Sequence, residues 1–133
     1  MKKIITFGTF DVFHVGHVNI LERARSLGDY LIVGISSDQL NMSKKGRFPI
    51  YSEQDRVRII QALSCVDEVF IEESLELKGE YIRQYEADVL VMGDDWQGKF
   101  DHYQNLCEVT YFTRTPSIST TEIIEVVKSI KPN

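Results

Sequence analysis

Two histidines lie three residues apart in GTFDVFHVGH, residues 8–17, with Gly16 between them, and the chain has only three histidines in all. One histidine on a helix is more often structural than catalytic. A pair at i and i+3 shares a helix face. This pair falls where a strand gives way to a helix, beside free backbone N–H groups and the positive end of the helix dipole. Gly16 lets a ligand or the backbone come close. The combination describes a phosphate site, where imidazole N–H donors can stabilise charge building on a transferring phosphate.

A zinc site is the competing reading. It needs a third and a fourth ligand, and the spacing of Cys65 and Cys107 suggests neither. The stretch also lacks the Gly-x-x-x-x-Gly-Lys-Ser/Thr run of a P-loop and the Gly-x-Gly-x-x-Gly of a dinucleotide site.

Further polar groups gather in a basic segment with Lys44, Lys45 and Arg47, in MGDDW at 92–96, and in RTPSISTT at 114–121. Arg114 offers a fixed donor fork suited to phosphate or to a base carbonyl. Thr115, Ser119, Thr120 and Thr121 offer hydroxyls where a last helix begins. That helix start can bind phosphate or simply be capped by Ser or Thr, and both can hold at once.

The elements that must position these groups alternate along the chain. Apolar runs predict strands at 3–7, 30–36, 66–71, 88–93 and 108–112, and helical spacing predicts helices at 16–28, 53–64, 75–86 and 119–130. Ser52, with Asp55 three positions on, resembles a helix N-cap. Residues 37–51 read as a basic loop, and a short helix is expected around 98–106. Such alternation predicts a doubly wound, five-stranded parallel sheet flanked by helices. Ligands then bind at the carboxyl ends of the strands, where strand order reverses. The unusual stretches all fall at such ends.

The 133 residues fit a single domain over 1–133, and 43% of them are apolar. Fifteen basic against twenty acidic residues leave a net charge of −5. That argues against a sequence-independent nucleic-acid binder but leaves room for a small anion in a local basic pocket. No apolar run reaches the ~18 residues of a membrane span. The opening MKKIITFGTF runs straight into the first strand. A cytoplasmic protein is expected, with Cys65 and Cys107 as reduced, largely buried thiols.

At this point the motifs carry a resemblance. GTFDVFHVGH resembles the HxGH signature of the nucleotidylyltransferase superfamily, and RTPSISTT resembles the RTEGISTT signature of its cytidylyltransferase branch. VDEV at 66–69 and MGDDW are similar to the same branch. The tracts ERARSLGDYLIV and MGDDWQGKFD, the length and the motif order are similar to the bacterial members acting on glycerol 3-phosphate. The similarity spans essentially the whole chain.

The resemblance implies a Rossmann-like fold and condensation of CTP with a phosphorylated alcohol, releasing pyrophosphate. In the nearest branch the product is CDP-glycerol, a precursor of teichoic acid or capsular polymers. It implies Mg²⁺ held mainly by CTP phosphates and water, no nucleic-acid or membrane partner, and a homodimer with the VDEV tract at its interface. His14, His17, Lys44 and Arg114 match the catalytic positions. Thr9, Phe10, Gly16, the two histidines, Asp94, Arg114, Thr115, Ile118, Ser119, Thr120 and Thr121 match CTP positions, together with Lys45 or Arg47. Asp11, Lys44, Lys78 and Trp96 match substrate positions. Asp11 equally reads as a turn-stabilising carboxylate, Asp95 shares the MGDDW assignment with Asp94, and Lys78 taken alone reads as a surface lysine.

Pro116 and Ser117 stand where the signature has Glu-Gly, and Ser64–Cys65 where the family has an arginine before VDEV. The 42–52 loop also differs and is expected to influence which polyol phosphate is accepted. The rival readings are the same chemistry on glycerol 2-phosphate, another polyol phosphate, phosphocholine or phosphoethanolamine, and a catalytically silent nucleotide-binding module. The intact His14, His17, Lys44 and Arg114 argue against the last.

Overall fold

The computed structural model describes residues 1–114 and 119–130. The strands are β1 (Lys3–Gly8), β2 (Tyr30–Ser36), β3 (Glu68–Glu72), β4 (Val89–Gly93) and β5 (Glu108–Phe112). The helices are α1 (Val15–Ser26), α2 (Asp38–Lys45), α3 (Glu53–Gln61), α4 (Lys78–Gln84) and α5 (Thr120–Ser129). Short 3₁₀ turns occupy Leu75–Leu77, Asp94–Trp96 and Asp101–Asn105.

All strand pairs are parallel, in the order β3-β2-β1-β4-β5. The central strands β2, β1 and β4 are continuous apolar runs because helices cover both of their faces. Successive side chains point to opposite sides. Ile4 packs with Leu21 and Ala24 of α1 and Ile60 of α3, while Ile5 packs with Ile82 of α4 and Phe100. The expected doubly wound α/β sheet is present. The chain winds outward from β1 to β3, then crosses back to β4, so the order reverses between β1 and β4. That reversal opens a crevice above their carboxyl ends.

Most predicted limits shift by one to three residues, and three elements illustrate why. Residues 38–45 form α2 rather than part of a basic loop. The polar run DQLNMSKK shows no apolar stripe, yet local chemistry starts and stops the helix: the Leu40 N–H donates to Ser37 Oγ at 3.0 Å, and Gly46 closes it at φ 73°. The expected helix at 75–86 divides into a 3₁₀ turn and α4. The third strand runs from 68 to 72, two residues later than predicted at its start. The Ser52 cap forms as expected, accepting the Asp55 N–H at 3.2 Å.

Candidate active site

A cleft of about 760 Å³ lies over the carboxyl ends of the strands. Its catalytic corner is the loop from β1 into α1. Non-glycine residues rarely take a positive φ, yet Phe10 (53°) and Val12 (47°) both do. Surrounding bonds hold this strained path. Asp11 Oδ1 accepts the Val12 N–H at 3.1 Å, the Thr120 hydroxyl donates to the Asp11 carbonyl at 2.7 Å, and Arg56 holds the Thr9 carbonyl at 2.9 Å.

His14 and His17 form the first turn of α1. The Gly16 N–H donates to His14 Nδ1 at 3.0 Å, and the His14 N–H donates to His17 Nδ1 at 3.2 Å. The rings stack with centroids 3.8 Å apart, and Phe13 stacks on His17 at 5.4 Å. An Nδ1 that accepts carries no proton, so a neutral ring presents Nε2–H. Burial favours that neutral state. It lowers the His14 pKa, and it lowers that of His17 from 6.5 to about 4, helped by neighbouring His14 and opposed by Asp11. The pair thus caps the helix with one nitrogen of each ring and keeps the other as a donor.

Opposite stand the cations. Lys44, brought in by the last turn of α2, donates to Ser36 Oγ at 3.0 Å. Burial lowers its pKa, with Glu72 opposing and Lys78, Lys45 and Arg56 adding to the lowering. Lys78 is not a surface lysine. It is 1% exposed, paired with Glu72 and seated over the Phe7 ring at 4.3 Å. Burial lowers its pKa, and Glu72 opposes the shift. Lys45, Arg47 and Arg114 also line the cleft, and Arg114 reaches Asp95 at 2.9 Å.

Most other expected residues gather here as well. Thr9, Phe10, Asp11, Gly16, Trp96, Ser119, Thr120 and Thr121 all border the cleft. Ser119 caps α5 by accepting the Glu122 N–H at 3.1 Å. Asp94 is the exception: it is exposed and off the lining, while Asp95, next along the same 3₁₀ turn, borders the cleft. Asp11 has both carboxylate oxygens bound to backbone N–H groups, those of Ile50 at 2.7 Å and Tyr51 at 2.9 Å as well as its neighbour's. This is the geometry of a loop organiser. Thr115 and Ile118 lie outside the described residues. Cys65 and Cys107 are free thiols, half-buried rather than largely buried.

Three residues went unnoticed in the sequence. Arg56 is fully buried and binds the carbonyls of Thr9, Ser36 and Tyr51 and the carboxylate of Asp38. Asn41 accepts the Thr9 hydroxyl at 3.1 Å and donates to the Arg47 carbonyl at 3.0 Å. Glu72 anchors Lys78 in the cleft floor. Arg56 and Asn41 lie in helices whose polar sequences give no sign of burial, and Glu72 is one of several acids at the end of β3.

A parallel sheet with a histidine-capped helix facing a basic cleft defines a nucleotidyl-transferring class of protein. The chain belongs to the cytidylyltransferase-like family, whose model matches residues 5–126. It is 48% identical to the glycerol-3-phosphate cytidylyltransferase of Bacillus subtilis over 130 residues, covering 98% of this chain and 100% of that protein. It is 42% identical to the Staphylococcus aureus protein of the same name, over 92% of each chain. Among solved structures, a lipopolysaccharide core biosynthesis protein from Thermoplasma volcanium superposes with a TM-score of 0.74 at 22% identity, covering 86% of this chain and 98% of that one. That last likeness concerns the fold alone.

Proposed function

We propose that the chain condenses CTP with glycerol 3-phosphate to give CDP-glycerol and pyrophosphate, supplying a teichoic acid or capsular polymer precursor. The observation that carries the reading is the mutual cap of His14 and His17, which leaves two Nε2–H donors beside a cleft bordered by Lys44, Lys45, Arg47, Lys78 and Arg114. The full-length identity to glycerol-3-phosphate cytidylyltransferases supports the choice of both substrates.

In this reading a phosphate oxygen of glycerol 3-phosphate attacks the α-phosphorus of CTP. The new P–O bond forms as the bond to the β-phosphate oxygen breaks, and pyrophosphate leaves with that electron pair. The attacking phosphate is already anionic, so no general base is needed. His14 and His17 donate to the phosphate oxygens as charge develops there. Lys44 and Lys78 hold the acceptor, while Arg114, Lys45 or Arg47, and the start of α5 hold CTP. Positioning supplies much of the rate.

Mg²⁺ would neutralise phosphate charge when bound. Among the described residues, no three His, Cys, Asp or Glu side chains are grouped to hold a metal; in this reading the ion would be held mainly by CTP phosphates and water. We also infer a homodimer through the β3 edge, where Glu68 to Ile71 are only half-buried. A cytoplasmic setting follows from the need for CTP. Among the described residues no helix is long and apolar enough to cross a membrane.

The direct test is incubation with CTP, Mg²⁺ and a panel of phosphorylated alcohols, reading pyrophosphate release and product mass. CDP-glycerol is the expected product. CTP binding without pyrophosphate release on any acceptor would instead identify a silent binding module.

A further inference from the structure

The floor of the cleft holds a carboxylate with no part in the chemistry above. Glu72 ends β3, in register with Ser36 at the end of β2, and is 1% exposed. A carboxylate so far from water is costly unless paired. Its Oε2 accepts from the Lys78 ammonium, itself 1% exposed and lying 4.3 Å from the centroid of Phe7 and 5.3 Å from that of Phe100. Among the described residues Oε1 accepts no hydrogen bond. Glu72 is among the residues that line the cleft. Lys44 stands nearby, its ammonium 3.0 Å from Ser36 Oγ.

We propose that Glu72 is the residue that selects the acceptor alcohol: its Oε1 accepts a hydrogen bond from a free hydroxyl of a polyol phosphate whose phosphate lies against Lys44. The proposal rests on the cytidylyltransferase reading and adds the determinant of its second substrate.

Two consequences follow from charge and hydrogen bonding. A carboxylate oxygen can only accept, so an acceptor lacking hydroxyls leaves it buried without a partner. Sites built this way reject deoxy analogues far more strongly than apolar pockets reject a missing methylene. Among the described residues, a cationic head group also finds no unpaired anion in the floor. Glu72 is balanced by Lys78, Asp11 is held by loop amides and Asp95 by Arg114, while Glu22 is exposed. With Lys44 added, the Glu72 cluster is net positive. Leu75, Met92 and Trp96 border the cleft and suit a short carbon chain.

The test compares kcat/KM for glycerol 3-phosphate, propyl phosphate and phosphocholine in wild type, Glu72→Gln and Glu72→Asp. Wild type is expected to prefer glycerol 3-phosphate over propyl phosphate by ~10³-fold or more and to turn over phosphocholine negligibly. Both variants should lower the glycerol-to-propyl ratio by about tenfold or more with KM for CTP unchanged, since they weaken or withdraw the acceptor oxygen. Glu72→Asp keeps the charge that balances Lys78, and it decides the matter if Glu72→Gln does not fold. Equal losses on both acceptors would make Glu72 a mere anchor for Lys78 and overturn the proposal. A wild type that does not discriminate, or that accepts phosphocholine equally well, overturns it too. A wild type inactive with every acceptor defeats the cytidylyltransferase reading itself, an outcome distinct because no ratio then exists.

Discussion

The backbone N–H of His14 donates to Nδ1 of His17, 3.2 Å away, across a pair of stacked rings. The same ring therefore closes the helix start and keeps Nε2–H as a donor. Asparagine separates these two tasks, because its Oδ1 can accept where Nδ1 does while nothing replaces Nε2–H. His17→Asn is expected to lower kcat by ~10²-fold or more, the size of one lost transition-state donor. Its melting temperature should stay near wild type, whereas His17→Ala should also lose a cap bond of about 1 kcal/mol. Steady-state kinetics and thermal melts on both variants check this. Undiminished turnover in His17→Asn would remove the imidazole from the chemistry.

The low proton affinity of His17 gives stability a pH signature. Its folded pKa, about 4, lies below the usual 6.5. Between those values the unfolded chain binds more protons than the folded one. The contribution is complete above pH 6.5 and is lost as pH falls through about 4. Wild type should lose more stability than His17→Asn across that window, read as the difference between their melting temperatures. Nitrogen-15 spectra at pH 6 should show His17 as the neutral Nε2–H tautomer.

Asp11 ties the catalytic loop to the 46–52 segment through the Ile50 and Tyr51 N–H groups. Asp11→Asn leaves one oxygen where two accept now. The 46–52 segment, which carries Arg47 and Pro49 to the cleft, should loosen. KM for the acceptor is expected to rise several-fold, more than kcat falls. A pure kcat loss with unchanged KM would argue for a direct catalytic role instead.

Arg56 is fully buried, and its guanidinium serves three carbonyls and Asp38. Arg56→Ala leaves the buried Ser36 carbonyl and three part-buried acceptors without this partner and empties a fully buried site, and a loss of about 3–5 kcal/mol is expected in denaturant unfolding. A loss under about 1 kcal/mol would mean water replaces the guanidinium at little cost.

Arg114 differs in exposure. Its ion pair with Asp95 is 62% and 46% exposed at the two side chains, and such pairs contribute about 0–1 kcal/mol. Arg114→Ala should barely move the melting temperature while raising KM for CTP and lowering turnover. A large fall in stability would assign Arg114 to the fold.

The alternating apolar runs disclosed the sheet, because a strand covered on both faces must be apolar throughout. Strand β2 at 30–36 and β5 at 108–112 match their predicted limits. Helix α2 was hidden because capping by Ser37 and Gly46, rather than an apolar stripe, defines it. Within the site, His14 and His17 were legible because their residue type and spacing are unusual in themselves, whereas Lys44 and Arg114 stood out through the resemblance of their motifs. Asp94 and Asp95 were not separable in sequence, since the direction of a side chain in a 3₁₀ turn depends on what packs around that turn.

The sequence by itself thus determined the strand–helix rhythm, the histidine pair and the basic character of the ligand-facing segments, all of which are encoded within a few neighbouring residues. Only the tertiary structure decided the environment of residues that local pattern treats as ordinary surface charge. Arg56 serves carbonyls up to 47 positions away. Lys78 and Glu72 become a buried pair under the cleft because α4 packs on the sheet beside β3. Burial turns a charge from a solvated ornament into an obligation to find partners, and burial is set by elements far apart in the chain.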